Sequence, residues 1–350
     1  MKRNLLLIIA LIAISFPMSL RAQEGPKISG FVQGLYQANL DQDFNLKDNT
    51  LRMRRVRMSV EGKLTKELSY KIQGDFSRSP MLVDAFVKYK PCTEFAIQVG
   101  QFKTPFTLES PINPVNLEIF DYGESVQKLV GYSDVCGVGG LGRDLGIMAS
   151  GDLFRPEGKD FSIVTYYLGV FNGNGPTTTD NNNRKDFVGR LEIHPMLKDL
   201  TLTASYYHGY YFKDTINTGL RDRWSAGVQY NDGDLVIRGE YIEGTTGYND
   251  YTWGNHAGYS MNVSEGSFYS RGFYAVAGYY FHFGKDNSQK LMPVLRYEQF
   301  KNDGFATDYY TVGINYWPVK SVNFKLDYSL IRPQTGINSN RIVAILSYKF

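Results

Sequence analysis

Basic and acidic residues recur two positions apart along this chain: Arg190 with Glu192, Arg238 with Glu240, Arg296 with Glu298, and Lys325 with Asp327. In an extended strand, residues i and i+2 share a face, so each pair sets a cation beside a carboxylate on one side of a sheet. Arg55 and Arg57 form a same-face pair of one sign, followed on that face by Ser59 and Glu61. Lys71, Lys88 and Arg223 have the same parity in their strands, with Asp75 and Asp84 as further acids. Rows of fixed charge attract and sort ions. Residues suited to breaking bonds are scarce. The four histidines, His194, His208, His256 and His282, come with no nucleophile motif such as G-x-S-x-G. No C-x-x-C or H-E-x-x-H spacing is present, and Asp180 to Asn183 reads as a solvated turn, so neither metal nor cofactor is expected.

The elements that must hold these charges are strands of about ten residues with period-two alternation, the pattern of a transmembrane barrel. Leu68, Tyr70, Ile72, Gly74 and Phe76 alternate with Ser69, Lys71, Gln73, Asp75 and Ser77. Val322, Phe324, Leu326, Tyr328 and Leu330 alternate with Asn323, Lys325, Asp327 and Ser329. One face is apolar and ends in aromatics, as a lipid interface requires; the other is polar and often charged. The composition agrees, because 26 Tyr, 22 Phe and 35 Gly favour strands and tight turns. Past the amino terminus no apolar run reaches the ~18 residues of a spanning helix. Strands are expected near 27–38, 50–63, 68–77, 81–90, 95–103, 144–154, 161–172, 185–194, 200–212, 221–231, 235–244, 267–283, 291–301, 308–317, 322–331 and 341–350. That makes an all-β antiparallel barrel of about sixteen strands.

Met1 to Ala22 reads as a signal peptide, with Lys2 and Arg3 before an apolar stretch and Leu20-Arg21-Ala22 as the cleavage site, leaving 23–350 as one barrel domain. Its removal takes Lys2, Arg3 and Arg21 from 38 basic residues, leaving 35 against 35 acidic ones. A neutral mature chain without a basic tract is no nucleic-acid binder. Every second link is short, as at Thr65 to Glu67 and Pro318 to Ser321, which fits periplasmic turns facing longer outer loops. Cys92 falls in such a turn and Cys136 in a large outer loop, so no bond between them is expected. The last strand ends on Phe350, the aromatic terminus that barrel-assembly machinery selects. Thr104 to Arg143 is the longest non-strand segment, with a short helix expected over Val115 to Val130. Segments of that length are usually functional, and this one is expected to fold into the lumen and narrow it.

Four segments, Arg54-Arg55-Val56-Arg57, Gly100-Gln101-Phe102-Lys103-Thr104-Pro105-Phe106, Arg143-Asp144-Leu145-Gly146 and Gly169-Val170-Phe171-Asn172-Gly173, resemble the phosphate-selective porin O and P family in the same order. The resemblance implies a homotrimeric, anion-preferring outer-membrane porin with an arginine ladder and a lysine-lined constriction. On that reading the lumenal anion contacts are Arg55, Arg57, Lys71, Lys88, Lys103, Arg190, Arg223, Arg238, Arg296 and Lys325, partly neutralised by the same-face carboxylates. Arg54 has the opposite parity and is expected to point toward lipid near the rim. The alternative is an adhesive barrel that binds through Tyr248 to Tyr259; solute flux separates the two.

Overall fold

The computed structural model describes residues 25–212, 218–245 and 269–350. The expected leader and the Tyr248 to Tyr259 segment lie outside the described residues. Sixteen antiparallel strands close into a barrel. They are β1 (Lys27–Leu40), β2 (Leu46–Lys63), β3 (Leu68–Asp75), β4 (Leu82–Tyr89), β5 (Ala96–Lys103), β6 (Arg143–Leu153), β7 (Val164–Phe171) and β8 (Asp186–Ile193). The second half comprises β9 (Leu200–His208), β10 (Arg223–Asn231), β11 (Leu235–Thr245), β12 (Tyr269–Tyr279), β13 (Gln289–Asn302), β14 (Phe305–Val319), β15 (Val322–Pro333) and β16 (Ser339–Lys349). After a break at Tyr280, Phe281–Phe283 continues β12 against β13. A separate hairpin, Tyr210–Phe212 with Thr218–Leu220, stands outside the barrel sheet.

Closure follows from the solvent. Hydrocarbon offers no hydrogen-bond partner, so a spanning sheet must leave no open edge. Here β16 pairs with β1 from Phe31↔Lys349 to Leu40↔Asn340, and the terminal Phe350 exchanges two 3.0 Å backbone bonds with Gly30. Along β12, Arg271, Phe273, Ala275 and Ala277 are exposed while Gly272, Tyr274, Val276 and Gly278 are buried. The exposed positions across the barrel are mostly large and apolar, such as Leu168 and Leu295 at 61% and 62%. They form the lipid-facing wall. The alternating positions face inward.

Inside lies a core the strands do not make by themselves. Phe106, Leu117, Ile119, Tyr122, Val126 and Leu129 from the segment after β5 pack on Phe171, Val188, Tyr207, Ile242, Tyr274, Val276 and Val294 of the inner wall. Full burial of such a side chain contributes about 1.5–3 kcal/mol, which holds the segment inside the lumen. The expected helix over Val115 to Val130 is replaced by a 3-10 turn, Pro114–Asn116, and a short α1, Glu124–Leu129. Between them the Leu117 and Ile119 carbonyls accept bonds from Lys325 of the wall, so they are not available for a helical ladder. Gly123 enters α1 where no side chain fits: a Cβ there would lie 1.8 Å from Arg296 Nη2.

Candidate functional site

The inward segment meets the β2–β6 wall in a cluster of cations. In β2 the register steps from Gln33↔Arg55 to Gly34↔Met53, leaving Arg54 as the extra residue of a bulge. A bulge re-aims side chains. Arg54 therefore does not point to lipid as its parity suggests; it pairs with Asp121 of the segment and lies over the Phe120 ring at 5.5 Å. Arg55 reaches the same carboxylate at 3.1 Å and Gln33 Oε1 at 3.2 Å. Burial tends to raise the Asp121 carboxyl, but Arg54 and Arg55 outweigh it and hold the group below its ordinary range. Arg57 Nε donates to Asp75 at 2.9 Å, and Arg143 forks onto Asp84 at 2.7 and 3.2 Å.

Lys103 completes the cluster without a carboxylate. Its ammonium donates to the carbonyls of Ser110 and, at 3.0 Å, Ile112, and to Tyr122 Oη at 2.8 Å. Five cations (Arg54, Arg55, Arg57, Lys103 and Arg143) are thus met by three carboxylates (Asp75, Asp84 and Asp121). By formal charge these cations outnumber the carboxylates they meet by two where the segment touches the wall.

The opposite wall uses its cations to hold the segment down. Arg223 is 1% exposed, forks onto Asp134 at 2.6 and 2.8 Å, and donates to the Leu129 carbonyl at 2.7 Å. Arg238 pairs with Glu118 and, at 3.4 Å, Glu109; Arg296 pairs with Glu109 at 2.5 Å and Glu298 at 3.3 Å. Arg190 donates to the Thr107 carbonyl at 2.7 Å and pairs with Glu192. The expected same-face pairs form at Arg190–Glu192 and Arg296–Glu298 only. Glu240 instead accepts Leu108 N at 2.6 Å and Tyr274 Oη at 3.1 Å, while Lys325 spends its protons on loop carbonyls. A loop carboxylate or carbonyl out-competes the strand neighbour because it can approach the cation end-on.

Of the remaining candidates, Lys71 is part-exposed with Glu61 at 3.8 Å, and Lys88 is half-buried on the periplasmic half of the inner wall. Reading the sequence missed Arg221, which lies 3.6 Å from Asp186 and 3.9 Å from Asp134. It falls at the first position of the expected 221–231 strand, on the parity of Arg223, but just ahead of β10 as it forms. Arg54 and Arg143 were visible as motif residues, but not the bulge or the Asp84 contact. Cys92 is exposed in its turn, whereas Cys136 is buried and its Sγ accepts an Arg223 N–H at 3.3 Å. Among the described residues no group of three His, Cys, Asp or Glu side chains is placed to hold a metal ion.

A closed sixteen-strand barrel with its third outer loop folded inward is the architecture of a diffusion channel. The family model for phosphate-selective porin O and P matches residues 27–340. The chain belongs to this family. It is a porin of the bacterial outer membrane. No curated protein sequence matches it. Among solved structures, the anion-selective porin from Comamonas acidovorans is similar at TM-score 0.64 and 12% identity, over 93% of this chain and 99% of that one. Salmonella typhi OmpF in complex with daunomycin aligns at 0.64 and 14%, over 93% and 97%. The trimer form of Vibrio cholerae OmpT aligns at 0.59 and 12%, over 93% and 100%. At these identities the likeness is one of fold, and it extends over the porin's whole barrel.

Proposed function

We propose that this porin passes small hydrophilic solutes by diffusion and favours phosphate-like anions. The observation that carries the reading is the two-charge surplus at the constriction, where Arg54, Arg55, Arg57, Lys103 and Arg143 face only Asp75, Asp84 and Asp121. Fixed cations at a narrow, partly dehydrated point lower the energy of a passing anion and raise that of a cation. Lys71 and Lys88 extend the positive wall toward the periplasm, while Arg190, Arg223, Arg238, Arg296 and Lys325 shape the passage by fixing the loop. The work is physical: no side chain forms or breaks a bond, and the porin is not an enzyme.

The trimer form of Vibrio cholerae OmpT, an outer membrane protein, supports a homotrimer here as well. The lipid-facing wall contacts outer-membrane lipid, and Phe350 offers the terminal signal to the assembly machinery. The test is planar-bilayer conductance of the refolded chain under a KCl gradient. We expect openings in threes, a reversal potential of anion sign, and block by added phosphate. Openings with no ion preference and no phosphate block would remove the anion reading and leave a general porin.

A further inference from the structure

Charged residues on the lipid-facing side of a barrel are costly and call for a partner. At the outer end of β6 to β9 the outward positions Leu145, Val170, Phe187 and Tyr206 are uncharged, and the histidine beside them, His208, has the Asp222 carboxylate at 2.6 Å. The outer end of β12, β13 and β15 differs. Arg271 and Lys301 are register partners on adjacent strands, and Arg332 follows two strands on. All three have outward parity, and Arg271 and Arg332 are exposed. Below them runs an aromatic row: the Phe273 and Tyr297 rings are 5.4 Å apart and the Tyr297 and Tyr310 rings 5.0 Å apart. Below that row lie Leu295 and Val312.

Glu243 is the register partner of Arg271 on the other side and Asp308 that of Arg332, but each carboxylate is turned to a neutral group. Glu243 takes the Tyr241 hydroxyl, and Asp308 takes Tyr297 Oη at 2.8 Å and Gln299 Nε2 at 2.9 Å. Among the described residues no carboxylate oxygen lies within 4 Å of the three cations. Arg332 stacks over the Tyr310 ring at 5.6 Å. Cations above an aromatic girdle, above an apolar wall, match in order the phosphates and acyl chains of a lipid standing in the outer leaflet.

We propose that this face binds a phosphorylated glycolipid of the outer leaflet, its phosphates on Arg271, Lys301 and Arg332 and its acyl chains along Leu295 and Val312. The surface is separate from the lumen and independent of the porin's ion preference. The test uses full-length porin in mild detergent, titrated with bis-phosphorylated lipid A and with the same lipid stripped of phosphate, bound lipid being counted by native mass spectrometry. Wild type should take up the phosphorylated form at least tenfold more tightly. The triple variant R271A/K301A/R332A should lose that tenfold preference. A charge-matched control, K66A/K198A/K320A in the periplasmic turns, should keep it. Unchanged single-channel conductance in the triple variant shows that the barrel is intact. Equal uptake of both lipids by wild type would overturn the proposal, as would an unaltered preference in a conducting triple variant. Equal loss in the control would also overturn it, by showing that net charge rather than this face binds the phosphate.

Discussion

Asp121 is the side chain through which the loop tempers the constriction, because it alone pairs with both Arg54 and Arg55. Replacing it in D121N keeps a carbonyl acceptor for the guanidiniums, so the loop stays docked while one negative charge disappears. The local surplus rises from two positive charges to three. A unit charge acts on an ion about 5 Å away with about 0.8 kcal/mol at the dielectric of water. Screening at 0.1 M salt, with a Debye length of about 10 Å, reduces this to about 0.5 kcal/mol. That favours an anion by a factor of about 2 and disfavours a cation by the same factor, so the anion-to-cation permeability ratio should rise roughly fivefold. The assay is the zero-current potential across a planar bilayer in a KCl gradient, read for wild type and D121N. A shift of cation sign, or none in a channel of normal conductance, would refute the claim that Asp121 neutralises the cluster.

The same carboxylate predicts the pH response. Its pKa is depressed in the folded state, so the latch to Arg54 and Arg55 is present above the ordinary aspartate value and lost as pH falls through the lower folded one. The Asp121 contribution to the reversal potential should therefore stay constant above the ordinary aspartate range and move toward anions only as pH falls through the lower folded value, and this acid step should be absent in D121N. R55A/R57A should reduce anion preference and weaken phosphate block, since Asp121 and Asp75 then face the lumen with fewer cations; unchanged selectivity removes both arginines from the account. Lys103→Met removes the ammonium that ties the Ser110 and Ile112 carbonyls to the wall, leaving Ile112 O with the Tyr122 hydroxyl and Ser110 O with only a 3.4 Å contact to Tyr132, so single-channel records should show added flicker. Steady openings would mean the apolar packing alone holds the loop. Maleimide should label Cys92 quickly and Cys136 only on unfolding, because burial pushes the Cys136 thiol up to about 12. One fast label per chain supports a docked loop; two fast labels contradict it.

Much of this molecule was legible from residue order. Strict alternation along Leu68 to Phe76 and Val322 to Leu330 sets which face meets lipid, because a strand side-chain period of two admits no other assignment in a one-sided sheet. The sixteen strands followed from the same local rules, and the family from the resemblance of four short segments. Which cation meets which carboxylate did not. Same-face spacing pointed Arg238 to Glu240 and Lys325 to Asp327, yet both cations went to a loop that starts more than a hundred residues earlier. Arg54 changed sides because one extra residue in β2 broke the parity, and nothing in Arg54-Arg55-Val56-Arg57 marks where a bulge falls. The expected helix likewise dissolved because the wall claimed its carbonyls. Period and parity are properties of neighbouring residues and can be read along the chain. Partner choice across a lumen is a competition among groups from distant strands, decided only once the barrel has closed around its loop.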